Sequence, residues 1–235
     1  MITNADIKLI RSLREKKFRD SYGLFVVEGE KMVGEALASG LKVEKVWRKE
    51  EIGEEAMRRI SSLNTPSPAL ALVRIPDQQS APTPAPGLCL ALDSVRDPGN
   101  LGTIIRLADW FGIDAIYASH DTVEAFNPKV IQSTMGAIFR KKVIYCNLPQ
   151  LCKEFLKEGR EVVGTFMEGS DIYGSELPGN ALIVMGNEAN GISAEVASLV
   201  SRKVHIPSFA NSPTAESLNV AIATAITVSE FRRRK

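Results

Sequence analysis

The sequence predicts an α/β protein in which a small N-terminal α/β domain is joined by a linker to a larger, doubly wound parallel sheet. Three observations support this prediction. Strand-like and helix-like segments alternate along the 235 residues. Four prolines fall within residues 76–87, a composition that resists packing and indicates a semi-rigid linker. The segments 88–92 and 181–185 are wholly apolar, as expected for strands buried on both faces of a parallel sheet.

Residues 1–75 are predicted to form the small domain. The first 20 residues carry six basic side chains beside a roughly helical apolar face. They are either a solvated helix or a patch that contacts nucleic-acid phosphates, and both interpretations stay open. Apolar runs and glycine stops then predict strands at 24–27, 43–47 and 69–75 and helices at 31–39 and 54–63.

The larger domain, residues 88–235, has a steady strand–helix rhythm. Apolar runs predict strands at 88–92, 113–118, 142–146, 162–166, 181–185 and 203–206. Helices are predicted to start at Asn100 and Ser193, two natural N-caps, at Asn127-Pro128 and near residue 151. The last helix, 218–228, is apolar on nearly every face and is expected to be buried. Ser217 and Asn219 at its start would then need hydrogen-bond partners.

Composition limits the possible chemistry. The 29 basic and 28 acidic residues nearly cancel, so the net charge does not indicate a nucleic-acid binder. Three isolated cysteines and two histidines make a disulfide framework or a metal site improbable, and a reducing cytoplasm is expected. The N-terminus lacks the apolar core of a signal peptide, and the apolar run of the last helix is too short to span a bilayer, so no membrane association is expected.

Three polar loops follow predicted strands at the carboxyl edge of the sheet, where open α/β sheets bind ligands. Their residues are 93–106, 186–191 and 208–219. Arg106 lies off the apolar stripe of its helix, where it either reaches a phosphate or ribose or simply pairs with Asp109. Gly186 allows close approach of the backbone to a ligand, and Glu188 is a ribose acceptor, a general acid or base, or a helix-start acid. The chain has no Gly-x-Gly-x-x-Gly and no Walker loop, which disfavours a Rossmann-type nucleotide site.

Three spaced motifs in these loops resemble those of a known family: DSVRDPGNLGTIIRLADWFGI (93–113), LIVMGNEANGIS (182–193) and IPSFANSPTAESLNVAIATAI (206–226). The chain resembles the SpoU (TrmH-type) RNA ribose 2′-O-methyltransferases of the SPOUT superfamily. The resemblance covers residues 88–235, including the intervening segment 127–143. Residues 24–37 resemble, less closely, the family's accessory RNA-binding domain of ribosomal-protein-like type.

The resemblance implies a fold and a reaction. The cofactor would be S-adenosyl-L-methionine, the C-terminal segment would form a deep trefoil knot, and the chain would act as a homodimer whose active site uses both copies. The substrate would be a ribose 2′-hydroxyl in structured RNA, either rRNA or tRNA. The residues implied at the cofactor are Gly186, Asn187, Ile206 and Leu218. Those implied in catalysis are Arg106, Asn100, Glu188, Ser217 and Asn219. We expect Arg106 to fix the target phosphate rather than to act as a base, because an arginine in a protein is not deprotonated.

Two features depart from the family pattern. The loop between Pro207 and Glu216 is longer than in many relatives, and Gln132 stands where a basic residue is common. A second hypothesis is a non-catalytic RNA-binding protein that retains the fold, against which the intact Arg106 and Asn219 argue. A base-modifying or protein-modifying SPOUT enzyme is disfavoured because the Asn-x5-Arg spacing belongs to the ribose group. Trp110 is predicted to pack between helix and sheet.

Overall fold

The computed structural model describes residues 2–76, 83–210 and 217–233. The elements of the first range are, in chain order, α1 (Asn4–Ser12), α2 (Lys16–Tyr22), β1 (Leu24–Glu28), α3 (Glu30–Ala38), β2 (Val43–Arg48), α4 (Lys49–Ile52), α5 (Glu54–Ile60) and β3 (Ala69–Arg74). Those of the later ranges are β4 (Leu88–Leu92), α6 (Pro98–Trp110), β5 (Ala115–Ala118), α7 (Pro128–Thr134), β6 (Val143–Tyr145), α8 (Leu148–Lys157), β7 (Glu161–Asp171), β8 (Ala181–Met185), α9 (Ala194–Ala197), β9 (Arg202–His205) and α10 (Val220–Arg233).

The described residues fall into two compact units. One unit combines residues 2–76 with 124–140, and the other combines 83–123 with 141–233. The segment 124–140 lies within the range 88–235 in the sequence but has its contacts with the first unit. The domain limits 1–75, 76–87 and 88–235 stay a prediction, and residues 77–82 of the linker lie outside the described part of the chain.

The first unit contains a three-stranded antiparallel sheet with the order β1-β3-β2. Val26 of β1 is paired with Leu72 of β3, and both strands follow the predicted apolar runs. Helices α1 and α5 cover the sheet with the buried side chains of Ile10, Met57 and Ile60. The short helix α4 was not predicted, because its four residues are too few to show a helical apolar period.

A buried ion pair joins residues that are far apart in the sequence of the first unit. Arg19, which is only 2% exposed, donates from Nε to both carboxylate oxygens of Glu124 at 3.1 Å. Its Nη1 donates to the carbonyls of Leu13 at 2.7 Å and Arg14 at 2.9 Å. The guanidinium thus satisfies two chain carbonyls and one carboxylate, and it fastens residue 124 to the start of the chain.

The second unit contains a six-stranded sheet in which every pair of neighbouring strands is parallel. The strand order is β6-β5-β4-β8-β7-β9. On one side of β4 lie β5 and then β6. On the other side lie β8, β7 and β9, in that spatial order. The order therefore reverses between β4 and β8, whose last residues Leu92 and Met185 are paired. This confirms the predicted parallel sheet, and the region beyond these two strand ends is where sheets of this kind bind ligands.

Helices α6 and α10 pack against each other and run in the same direction. At their ends, Arg232 Nε of α10 donates to the carbonyl of Phe111, just after α6, at 2.8 Å. At their starts, Asn219 Nδ2 donates to Asn100 Oδ1 at 2.9 Å. The two helix N-termini consequently lie side by side, and their partial positive charges add at one place.

The prediction that Asn100 caps α6 is wrong. The N-cap is Asp97, whose Oδ1 accepts from the Asn100 amide at 2.8 Å, and Pro98 occupies the first helical position. Proline is favoured there because its nitrogen needs no partner, so the helix starts earlier. The Asn100 side chain, freed from capping, is available for other contacts.

The described end of the linker is attached to the second unit. The buried Tyr117 hydroxyl donates to the carbonyl of Thr83 at 2.7 Å and accepts from the amide of Ala85 at 2.8 Å. None of the helices in the described ranges is long and apolar enough to cross a membrane. Within those same ranges, no group of three or more potential metal ligands is found.

We expect Arg19→Ala to lower the free energy of unfolding by about 3–5 kcal/mol, because it leaves the Glu124 carboxylate without its buried partner. Chemical denaturation measures this. Lys16→Ala is the control, since Lys16 forms an exposed pair with Asp20 and its loss is expected to cost less than about 1 kcal/mol. Equal losses in the two variants would contradict the role assigned to the buried pair.

Candidate functional site

The loops after β4 and β8 are fastened to each other at the switch point. Asp93 directly follows β4, and its amide donates to the carbonyl of Met185 at the end of β8, at 2.9 Å. The buried Asp93 carboxylate accepts from the amide of Ser193 at 2.7 Å. Asp93 thereby binds the chain on both sides of the turn 186–191 and fixes the turn against the loop after β4.

Glu188, at the tip of that turn, reaches back to the loop after β4. Its carboxylate accepts from Asn100 Nδ2 at 3.0 Å, from the Asp97 amide at 3.2 Å and from the Arg96 amide at 3.3 Å. Partial desolvation alone would raise the pKa of Glu188, but these hydrogen bonds together outweigh it and lower the pKa below its ordinary value. The side chain is therefore an ionised acceptor near neutral pH.

Asn100 joins Glu188 to the start of α10. Its Oδ1 accepts from Asn219 Nδ2, whereas its Nδ2 donates to Glu188. Asn219 Oδ1 accepts from the amides of Ala221 at 2.9 Å and Ile222 at 3.3 Å and so caps α10. The orientation of the Asn100 amide follows from its neighbours. A carboxylate only accepts, and the oxygen of Asn219 is already used, so the donors must run from Asn219 through Asn100 to Glu188.

Gly186 and Asn187 form the base of the turn. Asn187 and Gly191 exchange two backbone hydrogen bonds of 2.8 and 3.0 Å. A Cβ added at Gly186 would lie 2.3 Å from the carbonyl carbon of Gly191, so glycine is required for the turn itself to close. Asn187 Oδ1 accepts from the amides of Ala189 and Asn190, both at 3.0 Å, which stabilises the turn that presents Glu188.

Ser217, Leu218 and Asn219 are exposed, although the sequence predicted burial of both polar residues. Helix α10 starts at Val220, one residue after Asn219. The polar residues therefore precede the helix and lie at the surface rather than in the core. Leu218 keeps 51% of its surface exposed, while Ile206 is partly buried. Ser217 forms no hydrogen bond within the described ranges, and residues 211–216 of this loop lie outside them.

Arg106 is not part of the hydrogen-bonded network. It lies six residues after Asn100, or about 9 Å farther along α6. Its side chain is exposed and makes no hydrogen bond or ion pair with any described residue, so the alternative of an Arg106–Asp109 pair is not observed. An unpaired guanidinium on a helix face is available to bind a phosphate.

Arg106 lines an open groove between α6 and α10. The other lining residues are Thr103, Leu107, Trp110, Phe111, Tyr173, Ala225, Ile226, Ser229 and Glu230. Trp110 is 85% exposed, so the prediction that it packs between helix and sheet is wrong. It lies four residues after Arg106 and therefore shares the outer face of the helix. An exposed tryptophan beside a groove is typical of an interaction surface.

The structure separates the five residues predicted to be catalytic. Asn100, Glu188 and Asn219 share hydrogen bonds, Ser217 lies at the head of α10, and Arg106 faces the groove. Asp93 and Asp97, which hold the loops, were not among the predicted site residues. The pair Asp97-Pro98 is a recognisable helix start and would have identified the cap. No local pattern indicates that Asp93 contacts residue 193, since that contact depends on the strand order.

Comparison with known proteins adds independent evidence. Residues 87–229 match the model of the SpoU rRNA Methylase family, and residues 4–71 match that of an MRM3-like substrate binding domain. The chain is 33% identical to the 23S rRNA (guanosine(2553)-2′-O)-methyltransferase RlmP of Bacillus subtilis, over 97% of this chain and 96% of the relative.

Two solved structures are similar over the whole chain. One is a Porphyromonas gingivalis protein assigned to the TrmH family of RNA methyltransferases, with 38% identity, a TM-score of 0.88 and full coverage of both chains. The other is an AdoMet-bound rRNA methyltransferase from Sinorhizobium meliloti, with 31% identity and a TM-score of 0.79, covering 100% of this chain and 96% of that one.

We expect the stabilising effect of Glu188 to depend on pH in one direction. Because the pKa of its carboxyl is lowered in the folded chain, its contribution is complete above the ordinary value of 4.5 and is lost as the pH falls through the lower folded value. The difference in free energy of unfolding between wild type and Glu188→Gln should therefore shrink from about pH 6 to about pH 3.

Glu195→Gln serves as the control for this titration. Its carboxylate accepts no hydrogen bond in the described part of the chain. The difference in free energy of unfolding between wild type and Glu195→Gln should therefore change less with pH. A Glu188→Gln difference that grows on acidification would contradict the assigned hydrogen bonds.

Proposed function

The chain belongs to the SpoU rRNA methylase family, and we propose on this premise that it methylates a ribose 2′-hydroxyl of RNA with S-adenosyl-L-methionine. The observation that carries the proposal is the chain of hydrogen bonds from Asn219 through Asn100 to Glu188. It unites three polar loops at the switch point of a parallel sheet, where such folds bind ligands. A purely RNA-binding role has less support, because full-length relatives carry names of methyltransferases.

The residues present fit this cofactor. The turn 186–191 is closed by its own backbone hydrogen bonds and so offers a rigid edge. Leu218 presents an exposed apolar side chain beside Asn219, and the partly buried Ile206 ends the strand region before the third loop. Apolar side chains next to fixed backbone groups suit a ligand that has both an aromatic ring and polar ends. We assign Gly186, Asn187, Ile206 and Leu218 to its binding.

When bound, the cofactor supplies an electrophilic methyl group on a sulfonium. The protein then has to align the ribose hydroxyl with that group and exclude other nucleophiles, which is catalysis by orientation. Arg106 is assigned to hold the phosphate next to the target ribose, because its guanidinium pairs with no described residue and is permanently charged. The hydroxyl proton leaves to a phosphate oxygen or to water, since Arg106 cannot accept it.

The other catalytic assignments concern the position of the ribose. Asn100 and Glu188 are fixed by mutual hydrogen bonding, so each is preorganised before substrate arrives. Asn219 keeps its Nδ2 directed at Asn100 because its oxygen caps α10. Ser217, two residues earlier, is exposed and forms no hydrogen bond with a described residue, and it is assigned to contact the substrate or the partner subunit. The exposed basic side chains of α1 and α2, which are Lys8, Arg11, Lys16 and Lys17, are assigned to the RNA backbone.

We also propose a homodimer, with the second copy seated on the groove between α6 and α10. Its lining combines Trp110, Leu107 and Ile226 with the charged Arg106, the mixture of aromatic and arginine side chains that protein interfaces favour. In this dimer we assign Arg106 to act beside the loops of the partner subunit. An active site built from both copies would explain why Arg106 lies apart from the Asn100 network of its own chain.

A trefoil knot in the C-terminal segment is part of the proposal. It is supported by the return of the chain from the edge strand β9 to α6, where Asn219 contacts Asn100. The small residues Ala221 and Ala223 allow close packing at the start of α10. We further propose a cytoplasmic location, which suits three buried free cysteines.

The reaction is tested by incubating the purified chain with radiolabelled S-adenosylmethionine and RNA. Mapping ribose methylation in total RNA from cells with and without the protein then identifies the nucleotide. Ribosomal RNA is the first substrate to test, given the names of the relatives. Binding of the cofactor measured by calorimetry separates an enzyme from an RNA-binding protein. The proposal would be refuted if the chain does not bind S-adenosylmethionine and if RNA from the deletion strain carries the same ribose methyl groups as RNA from the wild type.

We expect Arg106→Ala to lower kcat by about a hundredfold or more, with binding of S-adenosylmethionine unchanged, because the substrate phosphate is no longer positioned. Arg106→Lys should recover little of this loss, since an ammonium lacks the planar fork. Lys153→Ala on the exposed face of α8 is the control for a lost positive charge. Near-normal turnover of Arg106→Ala would rule out this role.

We expect Ile226→Glu to convert the homodimer into monomers, because a charge would be buried in the groove between α6 and α10. Sedimentation velocity at fixed concentration measures the change. Leu156→Glu, which introduces the same charge at an exposed apolar position on α8, is the control and should leave the dimer intact. A dimer that survives Ile226→Glu would place the interface elsewhere.

A further inference from the structure

Ser94 has a backbone conformation that residues with a side chain rarely adopt. Its φ is 61°, in the left-handed region, and it lies two residues after β4 at the site described above. Serine has no special preference for this region, so neighbouring groups must hold it there. Its local sequence, Asp93-Ser94-Val95, contains no glycine or asparagine that would make the conformation easy.

The loop after β5 supplies those neighbouring groups. The Ser94 amide donates to Ser119 Oγ at 2.8 Å, and the Ser94 hydroxyl donates to the Asp121 carboxylate. Ser119 is itself braced, because its hydroxyl lies 3.1 Å from Thr122 Oγ1, which donates to the carbonyl of Leu92 at 3.1 Å. The loop is thus tied to the end of β4 and provides a fixed frame for Ser94.

The conformation of Ser94 matters because of where its carbonyl points. The oxygen accepts from Asn187 Nδ2 at 2.7 Å. The oxygen of the same Asn187 amide caps the turn 186–191, and the next residue is Glu188, whose carboxylate meets Asn100. A change of φ at Ser94 would rotate this carbonyl away and release the turn on one side.

We propose that Asp121 is a positioning residue for the methyl-transfer site, which it serves by holding Ser94 in the left-handed conformation that aims its carbonyl at Asn187. The inference rests on the proposed function for its catalytic meaning. Asp121 touches none of the residues assigned to cofactor or ribose, and its charged neighbour is the exposed Arg96, whose Nη2 lies 3.8 Å from the carboxylate. Hydrogen bonds from Ser119 and Ser94 lower the pKa of Asp121, so it is an ionised acceptor at neutral pH.

The test uses the conformational freedom of glycine. Asp121→Ala is expected to lower kcat by about tenfold with little change in KM for RNA, because the site is misaligned rather than lost. In a Ser94→Gly background the same change should alter kcat by less than about twofold, since glycine adopts this φ without help. If Asp121 only stabilised the fold, glycine at position 94 would not reduce the loss of kcat caused by Asp121→Ala.

Crystal structures provide a readout that does not depend on activity. The distance from Asn187 Nδ2 to the Ser94 oxygen should lengthen beyond hydrogen bonding in Asp121→Ala and return in the double variant. Asp121→Asn, which keeps the size of the side chain, is measured alongside in case the alanine variant does not fold, and it should show the same change to a lesser degree. His120→Ala, at the exposed neighbouring position, is the control and should match wild type.

Two results would overturn the proposal. One is an unchanged contact between Asn187 and Ser94 in both Asp121 variants, and the other is an equal loss of kcat with serine or glycine at position 94. A wild-type chain that transfers no methyl group would instead refute the proposed function. The crystallographic comparison would still decide whether Asp121 holds Ser94.

Discussion

The side-chain amide of Asn100 connects three loops, with partners that lie 88 and 119 residues farther along the sequence. It accepts from Asn219 and donates to Glu188, so both of its polar ends are used. Because Glu188 also receives two backbone amides, the loop after β4 and the turn after β8 behave as one surface. Loss of this one amide would remove a donor from Glu188 and leave Asn219 Nδ2 without its acceptor.

The parallel sheet and the two helices explain why this connection forms. The β4 and β8 strands are neighbours at the point where the strand order reverses, so their following loops emerge together. Helices α6 and α10 run in the same direction, and both begin at these loops. Their combined dipoles favour an anionic group there, which suits the ionised Glu188 and the phosphate-bearing substrate of the proposed reaction.

Much of the fold was predictable because buried parallel strands are marked by unbroken apolar runs such as 88–92 and 181–185. The contacts of the site were less predictable. Asparagine is a favoured N-cap, yet the N-cap of α6 is Asp97, which is followed by proline, and not Asn100. The exposure of Trp110 depends on what packs against α6, which periodicity does not reveal. The left-handed φ of Ser94 is imposed by a loop 25 residues later, so no local pattern signals it.

The grouping of residues 124–140 with the first unit has a consequence for how the chain is made. The chain passes between the two units three times, so neither unit is a continuous stretch that leaves the ribosome alone. The guanidinium of Arg19 has no carboxylate partner until residue 124 has been synthesised, by which time β4 and β5 are already present. A fragment that begins at residue 88 would carry α7 with its apolar side chains Val130 and Ile131 but without β1 to cover them. The two units therefore alternate along the chain, and cutting the chain at the prolines of the linker would not separate one complete unit from the other.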